Sequence, residues 1–199
     1  MVLRLKIKTL CGIFLVASLL LACSTVPVAP AQPYSKSAHN HLYALKQWSL
    51  EGRLAMSAKK DSWTANMTWQ HDAEVEAIKL SGPLGQGATH IRLTNDQVVI
   101  DRGGKDVQTS ANPEQFIEQQ LGMAVPIHSL RYWVVGLPEP GIAFFETEAG
   151  FKQGQWLIAY KEMQSIGNQA MPRKITVMND QVRLKVMIDQ WNLNDIKAN

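Results

Sequence analysis

The chain has 199 residues, with 20 basic and 17 acidic side chains and a formal charge of +3. Three of the basic residues, Arg4, Lys6 and Lys8, stand in the first 22 positions with no acid among them, so residues 23–199 balance at 17 against 17. That neutrality excludes a nucleic-acid surface argued from net charge, and two cysteines are too few for a disulfide-stapled scaffold.

In chain order, Arg4, Lys6 and Lys8 precede an apolar run from Thr9 to Ala22. Fourteen residues suit the core of a signal peptide and fall short of the roughly 20 that a spanning helix needs. Leu20-Leu21-Ala22-Cys23 closes the run with a lipobox. Residues 1–22 are therefore expected to be a lipoprotein signal peptide. Cys23 is the expected mature N-terminus, carrying a diacylglycerol on its sulfur and an acyl chain on its amine. Cys11 leaves with the signal and Cys23 is consumed by lipid, so no thiol remains for a disulfide, a metal or a nucleophile. Ser24, where a retention signal commonly has Asp, points to the outer membrane and its periplasmic face. Residues 23–36 carry Pro27, Pro30 and Pro33 and no apolar face, which predicts a flexible tether. Residues 37–199 are expected to form a single domain.

Ser37 to Gln47 is expected to form a short helix with Ser37 as N-cap and Leu42 and Leu45 on one face. After it, alternation with period two dominates. Trp48, Leu50, Leu54 and Met56 alternate with polar neighbours, as do Trp63, Met67 and Trp69. Ile78 and Leu80 follow, then Ile91 and Leu93. Near the end, Trp156, Ile158 and Tyr160 share a face, as do Ile175 and Val177; Val182, Leu184, Val186 and Ile188 close the series. Asn179-Asp180 reads as a tight hairpin turn. Strands this close leave no room for crossover helices, so the sheet is expected to be antiparallel, with one apolar and one polar face. The fold class is mainly β (α+β), and the interruption between the two series of strands supplies the remaining helices. Asn112-Pro113 supplies an N-cap and a proline at the first helical position, and Phe116, Ile117 and Leu121 form a stripe ended by Gly122. Pro126 to Trp133 is expected to add a second short helix.

Few motifs carry chemistry. His39 and His41 lack a third ligand at metal spacing, and His71, His90 and His128 stand alone. The order of Gly82, Gly85 and Gly87 fits neither a dinucleotide fingerprint nor a phosphate loop. No metal, cofactor or enzymatic activity is expected, beyond the covalent acyl groups on Cys23. Gly82-Pro83-Leu84-Gly85 is a β-turn with Leu84 at its tip. There Leu84 packs against a neighbouring loop, stands as a scattered exposed apolar residue, or forms an apolar finger that touches lipid. The inward side chains likewise form a solid core or line a cavity for a bulky apolar ligand. Strand alternation assigns that lining to Trp48, Leu50, Leu54, Met67, Trp69, Leu80, Ile91 and Leu93 in the first half. In the second half it assigns Tyr160, Ile175, Val177, Leu184 and Val186. The helical segments add Phe116, Leu121 and Trp133.

The chain resembles the LolB family of outer-membrane lipoprotein receptors. The resemblance rests on Gly52-Arg53-Leu54-Ala55, Trp69-Gln70, Gly82-Pro83-Leu84-Gly85 and Leu121-Gly122-Met123 with Pro126. It continues through Trp133-Val134-Val135-Gly136-Leu137-Pro138 and Ala170-Met171-Pro172. These motifs run in family order across residues 48–191. The resemblance implies a half-open antiparallel β-barrel with short helices as a lid over an apolar cavity. It implies a monomer that accepts acylated lipoprotein cargo from the periplasmic carrier LolA and inserts it into the outer membrane. It also implies a protruding membrane-insertion loop, which Pro83, Leu84 and Gly85 match. The alternatives are an envelope-assembly lipoprotein with a solid core and no acyl ligand, and a lipid-anchored glycan hydrolase with two carboxylates facing one cleft.

Overall fold

The computed structural model describes residues 33–59, 61–121 and 125–193, and of Leu121 the backbone only. The expected signal peptide, Cys23, most of the expected tether, Gly122 and Met123 lie outside the described residues. A short helix α1 (Lys36–His39) runs into a 3-10 turn (Asn40–Ala44). Six strands follow: β1 (Gln47–Ala58), β2 (Ser62–Asp72), β3 (Val75–Ser81), β4 (Thr89–Leu93), β5 (Val98–Asp101) and β6 (Val107–Ser110). Two helices, α2 (Pro113–Leu121) and α3 (Ile127–Val135), separate these from β7 (Phe144–Thr147), β8 (Gly150–Gln153), β9 (Trp156–Ile166), β10 (Gln169–Met178) and β11 (Val182–Asn192).

All eleven strands form one open antiparallel sheet in the order β6-β5-β4-β3-β2-β1-β11-β10-β9-β8-β7. Two meanders are thus joined by the pairing of the first strand with the last, Leu50 opposite Trp191 and Leu54 opposite Val186. The alternation sets the faces: β11 buries Val182, Leu184, Val186 and Ile188 and exposes Arg183, Lys185 and Asp189. One apolar cluster includes Ile100 of β5 and Phe151 of β8, near opposite ends of the strand order, so the sheet curls around a shared interior. The connection from edge strand β6 to edge strand β7 contains α2 and α3, which roof that interior. Proline opens α2 where no N–H is needed, and the Phe116 N–H donates to the Asn112 carbonyl at 3.0 Å. Gly136 ends α3 with φ 100°; its N–H donates to Trp133 and that of Leu137 to Tyr132, a Schellman stop.

The structure departs from the sequence expectations in three places. The helix expected from Ser37 to Gln47 is a single turn followed by a 3-10 turn; Ser35 precedes it without a side-chain cap, and Gln47 already belongs to β1. The end of the tether is not loose either. Tyr34 is buried, stacks on Tyr160 at 5.4 Å and donates its hydroxyl to the Gly136 carbonyl at 3.0 Å, so packing begins ahead of Ser37. Strands β5 to β8 escaped the pattern because four residues give only two positions per face.

Candidate functional site

The concave face of the sheet and the undersides of the two helices enclose an apolar cavity. Strands supply Leu54, Met56, Trp63, Met67, Trp69, Ile78, Leu80 and Ile91 from one meander, and Ile175, Val177, Leu184 and Val186 from the other. The roof supplies Ile117 of α2, Val125, and Ile127, Leu130 and Val134 of α3. Those last three recur at i, i+3 and i+7, the spacing that sets one stripe of a helix toward a core. Every lining residue is apolar, and the cavity measures about 70 Å³. A lining without polar partners gives water nothing to bond to, so the cavity is dry.

Nine residues singled out from the sequence stand on this wall: Leu54, Met67, Trp69, Leu80, Ile91, Ile175, Val177, Leu184 and Val186. Six others do not, each for a visible reason. Trp48 stacks on His71 at 5.2 Å and meets Trp191 edge-on at 5.6 Å, forming an aromatic plug beside Trp69. Leu50 and Leu93 are packed solid in the core. Trp133 points its indole N–H away to the Gln153 Oε1 at 2.8 Å, against Trp156. Tyr160 donates its hydroxyl to the Trp133 carbonyl at 2.8 Å. Phe116 is half-buried at the margin of the core, and Ile117 takes the cavity-facing position on α2 instead. The side chain of Leu121 lies outside the described residues. Met56, Trp63 and Ile78 belong to alternating faces visible in the sequence. Leu130 and Val134 required the helical period to be carried past Pro126.

A polar knot closes the plugged end. Glu76 is 2% exposed and takes the Trp69 indole N–H on Oε2 at 2.7 Å, while its Oε1 lies 2.7 Å from the His71 Nδ1. Arg131 of α3 approaches the same oxygen at 3.9 Å, so the carboxylate ties roof to sheet. The indole ring of Trp69 can therefore face the cavity while its N–H is satisfied outside it. Near α1, burial pushes the hydroxyls of Tyr34 and Tyr160 above their ordinary range, and nearby Glu146 adds to the effect on Tyr34.

At the far end of β3, the Gly82–Gly85 turn is held by the Gly85 N–H to Gly82 carbonyl bond at 2.8 Å. Gly85 takes φ 81°, which suits glycine. Asn66 donates to the carbonyls of Gly82 and Pro83, and the Leu84 N–H donates to the Gln86 side chain at 3.0 Å. With its backbone fixed in this way, the Leu84 side chain is 87% exposed. His39 bonds the Ser35 carbonyl and stacks on Tyr34, while His41 bonds Gln169. Among the described residues no three ligating side chains gather at one point.

A family model described as outer membrane lipoprotein LolB matches residues 46–191. An outer-membrane lipoprotein LolB of Marinomonas sp. is 33% identical over 94% of this chain and 98% of that relative. Another from Nitrosococcus oceani is 31% identical over 76% of this chain and 79% of that relative. A LolA superfamily protein from Nitrosomonas europaea superimposes with a TM-score of 0.49 at 6% identity, over 81% of this chain and 92% of that one.

Proposed function

Because the chain belongs to the LolB family of outer-membrane lipoproteins, we propose that its cavity receives the acyl chains of lipoprotein cargo on the way into the outer membrane. The protein is a receptor in lipoprotein localisation at that membrane and not an enzyme. The wholly apolar cavity between sheet and helices is the observation that carries the acyl-binding role. Exposing one chain of about fifteen carbons to water costs on the order of 12 kcal/mol, at about 0.8 kcal/mol per methylene. Cargo must therefore pass between apolar sites without dissolving. The periplasmic carrier LolA is the proposed donor, and Cys23, acylated, is the proposed anchor that keeps the acceptor bilayer close. Leu84, on its fixed turn, is the proposed point of contact with that bilayer.

The cavity volume adds a condition. A dry cavity of about 150 Å³ holds one benzene ring, and this one measures about 70 Å³. Loading an acyl chain must lift the roof. Helices α2 and α3 are suited to that because they sit in one connection and carry no strand pairing. Mass spectrometry of the protein after mixing with carrier-bound lipoprotein tests the proposal. Acylated cargo on the receptor is the expected result, and a receptor that stays empty overturns it in favour of the solid-core assembly role.

A further inference from the structure

Resting on the proposal that the protein delivers to a bilayer, we infer that the outer face of β10, β11 and β1 beside the Leu84 turn docks on anionic lipid headgroups. The pairing register builds this face. Arg53 of β1 and Lys174 of β10 both lie opposite Met187 of β11, and one step along the ladder Lys185 stands between Ala55 and Thr176. Arg183 follows, between Ser57 and Met178. The alternation that aims Leu184 and Val186 inward aims Arg183 and Lys185 outward. The turn folds onto this same face: Asn66, which holds the Gly82 and Pro83 carbonyls, is the cross-strand partner of Arg53. Pro83 itself lines a shallow groove with Arg53, Lys174 and Lys185.

Charge decides the occupant. Arg53 shares Asp189 at 3.2 Å, and Glu162 holds Arg173 at 3.7 Å and Lys174 at 3.4 Å. Arg183 and Lys185 form no ion pair among the described residues. Lys185 sets exposed positive charge in the groove that Pro83 of the Leu84 turn also lines, and Arg183 extends it along β11, on a chain whose residues 23–199 are neutral as a whole. An apolar residue that dips below the headgroups, flanked by cations at phosphate level, matches the layering of an anionic membrane surface. The geometry assigns the convex side of the sheet to the bilayer and leaves the roof free on the other side to receive cargo.

The test uses the full lipidated protein reconstituted into phosphatidylcholine vesicles with or without phosphatidylglycerol, with amide exchange as readout. Phosphatidylglycerol is expected to slow exchange in residues 82–88, and about 1 M NaCl, where the screening length falls to about 3 Å, is expected to reverse this. Replacing Arg183→Gln and Lys185→Gln together is expected to weaken the protection on the order of tenfold. Both side chains are exposed, and thermal unfolding checks that the double variant remains folded. Equal exchange on both vesicle types overturns the inference. So does protection that appears only when a carrier protein is added, which would make the face a protein-docking surface. Acyl-chain uptake measured on the same sample is a separate readout: its absence sinks the receptor proposal and leaves the headgroup contact standing.

Discussion

Leu84 and Tyr34 are opposite cases of an apolar ring or chain near a surface. Leu84 contributes almost nothing to folding from its exposed position, so Leu84→Glu is expected to leave the unfolding temperature unchanged and cargo uptake intact. Delivery of cargo to liposomes should fall at least tenfold, and delivery at the wild-type rate would remove the finger from the mechanism. Tyr34 is buried and anchors the start of the domain through its bond to the Gly136 carbonyl. Tyr34→Phe leaves that carbonyl unpaired and should cost about 1 kcal/mol. Its pH dependence has a definite sign. Burial first, then Glu146, raises the folded value above the ordinary 10.0, so the neutral hydroxyl's contribution is complete below pH 10 and is lost as pH rises beyond it. Melting curves from about pH 9 to 11 should fall less steeply for the phenylalanine variant than for the parent. An identical slope would show that Tyr34 does not govern alkaline unfolding.

Two contacts between elements set how the sheet and its roof respond to change. A Cβ on Gly52 would stand 2.1 Å from the Met187 carbonyl, at the irregularity where β1 shifts register against β11. Gly52→Ala must push the central strands apart and should cost about 2–3 kcal/mol, read as a lower denaturation midpoint. The Glu76–Arg131 contact is the weaker of the carboxylate's ties, 3.9 Å against 2.7 Å for each partner on the sheet. Arg131→Met should therefore free α3 while Glu76 keeps Trp69 and His71. Amide exchange in residues 127–135 is expected to quicken severalfold with β1 and β11 unchanged; uniform quickening would mean general destabilisation. Such cross-element facts were not legible in the sequence. Alternation revealed which residues of β2, β10 and β11 face inward, because each long strand has many positions per face. It did not separate the cavity from the solid core. Leu50 and Leu54 share a pattern, yet only Leu54 lines the cavity, because the Trp48–Trp69–Trp191 cluster plugs the end where Leu50 lies. Trp133 and Tyr160 turn elsewhere because their polar tips find other partners, the Gln153 side chain of β8 for Trp133 and the Trp133 carbonyl of α3 for Tyr160.

For the whole molecule, anchor and receptor are separable if Cys23 serves only to hold the domain near lipid. A Cys23→Ala protein lacking residues 1–22 should still take acylated cargo from the proposed carrier, and a well-folded variant that takes none would tie lipidation to uptake. The family was legible because its motifs lie at structural joints: Gly52 at the strand crossing, Gly82–Gly85 at the exposed turn and Gly136 at the stop of α3. The joint between first and last strands has a further consequence. Ser49 pairs with Asn192, so the central seam of the sheet cannot form until the chain through Asn192 is free to fold. Long-range pairing of this kind closes slowly. A chain not yet free that far has no closed interior, because both meanders line the cavity. The apolar interior and the seam that closes it are therefore products of a single, late pairing event.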